Sequence, residues 1–207
     1  MSLTKAEFRS HCLKRMKNMP RHNKRHKDAL IAKKLMQIIT ITKAQSILFY
    51  WPLPFEVDLR KLVRASRKQM QVFLPFMVGE SFKMVAFRLP LEQKAFDIFE
   101  PRASNKTVTH IDIAIVPAVG VDSSARRIGF GKGMYDRFFE NLPTSPIIIF
   151  VQPELCKTSK PVCDHYDVSA DLLVTPRRLY GARGTTNVKQ YIFNVKRSIY
   201  RRRRRYR

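Results

Sequence analysis

Apolar positions follow two rhythms along this chain. Over 22–39, Leu30, Ile31, Leu35, Met36 and Ile39 recur at three- and four-residue spacing, which predicts a helix, basic at its start, with one core-facing stripe. Ahead of it, Thr4 followed three residues later by Glu7 is a capping box that opens a first helix with Lys5, Arg9 and Lys14 on its exposed face, and Pro20 interrupts that helix. A short apolar run at 46–50, helical spacing over 58–68 and a second run at 71–75 predict strand, helix, strand, with another strand at 83–88. After a weakly patterned, Pro-containing region come 111–117 and 147–151, β-branched and apolar at nearly every position, and a shorter run at 172–175. Such strands are too apolar for a sheet with one wet face. Alternating with helices, including one over 134–142, they predict a three-layer α/β fold, a mostly parallel sheet with helices on both faces.

Length and charge refine this picture. At 207 residues and 44% apolar composition the chain can build a genuine core in a single domain. Forty Lys and Arg against sixteen Asp and Glu give a net charge of +24, and from Arg177 onward there are twelve basic residues and no acid. The chain therefore divides into an α/β domain over 1–176 and a basic C-terminal extension over 177–207, the latter ending in the run Arg201 to Arg205. The body remains positive without the extension, which favours polyanionic partners, nucleic acid through the tail among them. Cys12, Cys156 and Cys163 are odd in number with no C-x-x-C spacing, so neither a disulfide framework nor a zinc site is expected, and a reducing, cytoplasmic setting is the simplest one. The N-terminus has no apolar signal region and no run reaches membrane-spanning length; a monomer without a membrane partner is expected.

The densest chemistry lies in 117–137, which reads P-A-V-G-V-D-S-S-A-R-R-I-G-F-G-K-G-M-Y-D-R. Gly129, Gly131 and Gly133 let backbone approach a ligand closely, Arg127, Lys132 and Arg137 bring positive charge, and Asp136 offers a carboxylate. The loop joins a buried strand to a helix start, where unpaired amides and the helix dipole both favour an anion. These are parts suited to a polyphosphate with its metal. The loop is not a Walker loop, since no Ser or Thr follows Lys132, and it is not a dinucleotide fingerprint; alternate glycines alone also mark turns that bind nothing.

In this segment the chain resembles the 5-formyltetrahydrofolate cyclo-ligases, whose longest signature is similar to P-G-x-A-F-D-x-x-G-x-R-L-G-Y-G-G-G-Y-Y-D-R. Pro117, Asp122, Arg127, Gly129, Gly131, Gly133, Tyr135, Asp136 and Arg137 stand in register with it. Shorter agreements follow in family order: Lys5 with Arg9; Tyr50, Pro52, Glu56 and Val57; Glu100 with Pro101; and Asp167 with Asp171 before Val174 and Thr175. Ala125, Lys132, Met134 and Tyr166 depart from the pattern without removing a charged member of the site. The resemblance spans roughly residues 3–176.

It implies an ATP-dependent, Mg²⁺-requiring conversion of 5-formyltetrahydrofolate to 5,10-methenyltetrahydrofolate with release of ADP and phosphate. It further implies that Lys5, Arg9, Arg127 and Lys132 surround the phosphates, with the backbone of Gly129, Phe130, Gly131, Gly133 and Met134 closing round them. Arg127, Lys132 and Tyr135 would act in catalysis, Asp136 and, more weakly, Asp171 at the metal. Glu56 would sit in the pterin pocket, where a carboxylate can accept paired hydrogen bonds from an aminopyrimidine edge, with Tyr50, Trp51 and Tyr135 lining it. Two other readings stay open: a polyanion-binding protein acting through its tail, and a homologue that binds folate or nucleotide without turnover.

Overall fold

A computed structural model describes residues 4–94, 98–104, 106 and 108–181. Most of the basic extension, 182–207, lies outside the described residues. Helix α1 (Lys5–Lys17) opens on the predicted capping box: Glu7 N donates to Thr4 Oγ1 at 3.2 Å and Thr4 N to Glu7 Oε2 at 2.8 Å. Pro20 separates it from α2 (Arg21–Thr42), which closes on Lys43 in the left-handed region, φ 54°. Then come β1 (Ser46–Leu48), α3 (Arg60–Ser66) and the hairpin β2 (Gln71–Val78) and β3 (Ser81–Ala86). The short pairs β4 (Glu92–Gln93) with β5 (Phe99–Glu100), and β7 (Gly120–Val121) with β8 (Arg127–Ile128), flank β6 (Ile113–Pro117) in sequence. Helix α4 (Met134–Glu140), β9 (Ile147–Val151), β10 (Leu172–Val174) and β11 (Leu179–Gly181) complete the order.

The seven-stranded sheet runs β11-β10-β9-β6-β1-β2-β3, with the five inner strands mutually parallel and an antiparallel strand at each edge. Adjacent residues of the inner strands serve opposite faces. Ile47, Ile113, Ile115 and Ile149 pack under Leu35, Ile38 and Ile39 of α2 and Leu62 and Val63 of α3; Leu48, Ala114, Val116, Ile148 and Phe150 pack with Phe138 of α4. Two covered faces explain the uniformly apolar strands, and the three-layer α/β expectation holds. The sheet also reaches past residue 176, because β11 pairs with β10 in the register Val174↔Leu179.

Strand order reverses beside β1: the chain goes from β1 to β2 on one side, then crosses to β6 on the other. Loops leaving the carboxyl ends of β1 and β6 therefore diverge and leave a crevice between them, the place where open α/β sheets hold ligands.

The cysteines depart from expectation, for Cys12 of α1 and Cys156 after β9 are joined as a disulfide, leaving Cys163 free. Their 144-residue separation is invisible to local spacing, and the expectation of a reducing setting loses its basis with it. Both sulfurs sit in a third apolar cluster with Phe8, Met16, Val119 and Ile128, by which α1 docks on the β7–β8 ribbon. Among the described residues no helix is long and apolar enough to cross a membrane.

Thiol titration of the denatured, unreduced chain should find one reactive cysteine and the reduced chain three. Closing so long a loop is worth about 5 kcal/mol in the chain-entropy picture, so reduction should lower the midpoint of chemical unfolding markedly.

Candidate functional site

The loop after β6 folds back over the crevice because its one fully buried cation must be satisfied there. Arg127, 6% exposed, donates from Nε to the carbonyl of Pro117 at 2.9 Å, and its guanidinium lies 4.7 Å from the centre of the Tyr135 ring. Burial lowers its pKa, while Tyr135 and the carboxylates of Asp136, Glu56 and Asp167 pull the other way. Gly129 is the position against which this guanidinium rests, and any side chain there would collide with it. Gly131 holds φ 96°, a conformation that glycine adopts without strain.

Helix α1 supplies the second wall. Arg9 Nε donates to the Gly129 carbonyl at 2.9 Å across 120 residues of sequence, and its guanidinium lies beside Gly131. Lys5 pairs with Asp167, in a short ion pair, and with Asp164 at 3.3 Å. Burial would lower the Lys5 pKa, but the hydrogen bond and charge of Asp167 outweigh it and the net shift is upward. Arg126 in turn grips the carbonyls of His165 and Asp167, so the acidic partner is itself held. Arg9 and Arg127 thus meet at one glycine loop and Lys5 sits on the neighbouring 164–167 segment, while Lys132, at the loop's tip, stands exposed.

Helix α4 begins directly after the loop, with Gly133 as its N-cap at φ 61°, but it has only seven residues and no side-chain cap. A dipole this short adds little, so attraction for an anion would have to come from the loop amides and from Arg9 and Arg127. Asp136, in its first turn, accepts from Val168 N through Oδ1 at 3.0 Å. A single carboxylate beside a glycine loop would suit Mg²⁺ carried by a phosphate ligand, since that ion takes one or two carboxylates and completes its shell with phosphate and water oxygens. Asp171 does not join it: its Oδ2 accepts from Ile148 N at 2.8 Å, at the amino ends of β9 and β10. Among the described residues no three His, Cys, Asp or Glu side chains are grouped to hold an ion.

The loop after β1 forms the remaining side. Glu56, 4% exposed, accepts from Leu53 N at 2.9 Å and lines a narrow cleft with Pro117, Val119 and Phe130. Burial raises its carboxyl to about 7 despite the Leu53 amide and the charges of Arg127 and Lys24. Phe130 meets Phe55 edge-on, centroids 5.6 Å apart, so the loop tip touches the segment that carries Glu56. Trp51 lines an adjoining pocket of about 410 Å³ with Lys24, Leu53, Asp58, Arg60 and Phe99. Tyr50 is not in that pocket. It is 3% exposed and donates its hydroxyl to the Val57 carbonyl at 2.8 Å, a core residue that braces the turn. Tyr135 is half-buried, its phenol pKa pushed up by burial, and stacks on Arg127 while meeting Phe82 edge-on.

Asp122 went unnoticed as a determinant of this geometry. Fully buried, it accepts from the amides of Ser124 and Arg126, closing the turn between β7 and β8, and from that of Cys163, tying the turn to the segment that carries Asp164 and Asp167; only its place in the motif signals it.

Residues 1–176 match the model of the 5-formyltetrahydrofolate cyclo-ligase family. A 5-formyltetrahydrofolate cyclo-ligase of Haemophilus influenzae is 26% identical over 150 residues, covering 67% of this chain and 80% of the relative. A probable enzyme of the same name from Schizosaccharomyces pombe is 22% identical over 200 residues, 86% of this chain and 98% of its own. The solution structure of Aquifex aeolicus 5,10-methenyltetrahydrofolate synthetase superposes with a TM-score of 0.76 at 25% identity, covering 88% of this chain and 95% of that one.

Because the folded chain raises the Glu56 carboxyl above its ordinary value, the native state holds the proton more tightly than the unfolded state. The associated stability is therefore present below about pH 4.5 and is lost as pH rises toward and past 7. Between pH 5 and 8 the wild type should lose up to about 3 kcal/mol relative to Glu56→Gln in chemical denaturation, and parallel pH profiles for the two would contradict the assigned burial.

Proposed function

The chain belongs to the 5-formyltetrahydrofolate cyclo-ligase family, and on that premise we propose that it converts 5-formyltetrahydrofolate and ATP to 5,10-methenyltetrahydrofolate, ADP and phosphate. The observation that carries this reading is the meeting of Arg9, from α1, and Arg127, from β8, on one glycine loop beside the Asp136 carboxylate.

A formamide oxygen is a poor nucleophile and a worse leaving group. Transfer of the γ-phosphoryl group onto it forms a C–O–P linkage and releases ADP; attack by the neighbouring aniline nitrogen closes the ring, that nitrogen gives up its proton, and phosphate departs with the former formyl oxygen. Phosphoryl transfer asks for positioning and charge neutralisation more than for covalent help. Arg127 is suited to this because it is already desolvated and fixed by Pro117 and Tyr135, so that it need not reorganise as charge develops. Arg9 and Lys5 approach from α1, and Lys132 can swing over the terminal phosphate from its exposed position. Mg²⁺ at Asp136 would neutralise phosphate charge. Glu56, titrating near neutrality, can accept from a pterin amide edge when ionised, and Trp51 offers an apolar wall in the neighbouring pocket at Leu53, whose amide Glu56 holds. Every group named comes from one chain, so a monomer suffices. The ten basic residues of 182–207, with no acid among them, form a separate polyanion-binding segment.

Protein mixed with Mg-ATP and 5-formyltetrahydrofolate should generate the near-ultraviolet absorbance of the conjugated methenyl product; no rise above the enzyme-free control would remove this function. Asp136→Asn, which keeps an oxygen for Val168 N, should lower kcat by about 100-fold with little change in Tm. Removal of 182–207 should leave turnover intact and weaken binding to an oligonucleotide.

A further inference from the structure

A second basic pocket lies away from the glycine loop. The β2–β3 hairpin turns at Gly79 and Glu80, where Arg137 donates to the Glu80 carbonyl and so ties this end to the loop. The other end of the hairpin, about 20 Å along β3 at ~3.4 Å per residue, opens into a pocket of about 770 Å³. Its lining includes four cations, Arg67, Arg88, Arg102 and Lys106, and no carboxylate. All four are exposed, and Arg67, Arg88 and Lys106 have no ion-pair partner among the described residues; Arg102 reaches Glu92, outside the lining, at 3.6 Å. The walls between them are apolar, with Phe73, Val85 and Phe87 buried behind and Leu89 half exposed at the edge.

Leaving four like charges together around one concavity disfavours the empty pocket, and an anion relieves their repulsion. Three of the four are arginines, whose planar forks match phosphate oxygens two at a time, and the apolar wall gives a ring somewhere to lie. The volume falls in the range of pockets that enclose small molecules. We propose that this pocket binds a nucleotide, a phosphorylated molecule with a flat ring, at a site separate from the one that turns over ATP.

Calorimetric titration of the full chain with ADP at about 0.15 M salt, which screens loose surface binding, tests this. The wild type should bind two ADP per chain. The double variant Arg67→Glu, Arg88→Glu should bind one, with affinity at the second site weakened by about 100-fold and turnover unchanged, the latter also showing that the variant is folded. Arg127→Ala should lose the other ADP and keep this one, so failure of the glycine-loop reading would show in that variant and failure of the present proposal in the double variant. A wild type that binds a single ADP, or a double variant that still binds two, overturns the proposal. So does a single-stranded oligonucleotide that binds in an Arg67- and Arg88-dependent way where ADP does not, which would make the pocket part of a nucleic-acid surface.

Discussion

A buried guanidinium at the carboxyl edge of the sheet organises everything around it. Taking Arg127 out of water is costly unless its donors and its charge find partners, and each partner comes from a different part of the fold. Pro117, the last residue of β6, supplies a carbonyl; Tyr135 of α4 supplies a ring face; Glu56, after β1, and Asp136 supply compensating charge. Gly129 supplies the space that a side chain would have filled. These demands pull the loop over the crevice where strand order reverses, and they leave the same cation at that crevice.

Helix α1 depends on that arrangement although it lies outside the sheet's three layers. It is fixed at several points along its length: Lys5 to Asp167 and Asp164, Arg9 to the Gly129 carbonyl, Cys12 to Cys156, and Arg15 to Glu154. Each contact is polar or covalent and joins residues well over a hundred positions apart, so α1 has little freedom to withdraw its cations from the loop. The helix that caps the domain is thus also one wall of its site.

The β2–β3 hairpin connects two regions of opposite design. At its turn, Arg137 binds the Glu80 carbonyl and the Lys132 carbonyl together, linking hairpin, glycine loop and α4. At its far end, cations gather around apolar walls without counter-charges in the lining. The positive charge of the body is therefore distributed in places, some compensated by Asp167, Asp164 and Glu154 and some, around the basic pocket, without a carboxylate in the lining.

Periodicity made the core elements readable, since α2 and the inner parallel strands owe their apolar patterns to burial on faces their own residues dictate. Short inner strands such as β1 and β10 still show as buried apolar runs, whereas β4, β5, β7, β8 and β11, two or three residues long and outside the inner parallel sheet, have neither the length nor a continuous apolar run to signal them. The glycine loop with Arg127, Asp136, Lys5 and Arg9 was legible because residue type and family register coincide there. Residue type shows what a side chain can bind, whereas the place of Asp171 at the amino ends of β9 and β10, and the burial of Tyr50 near Glu56 with its hydroxyl on the Val57 carbonyl, follow only from folding. The Cys12–Cys156 bond, the grip of Arg9 on Gly129 and the basic pocket at Arg88 likewise join segments far apart in sequence. Composition and spacing determined which segments would be buried and which would carry charge; the three-dimensional packing alone decided which charges meet, because Coulomb and hydrogen-bond energies depend on distances in space that the order of residues does not contain.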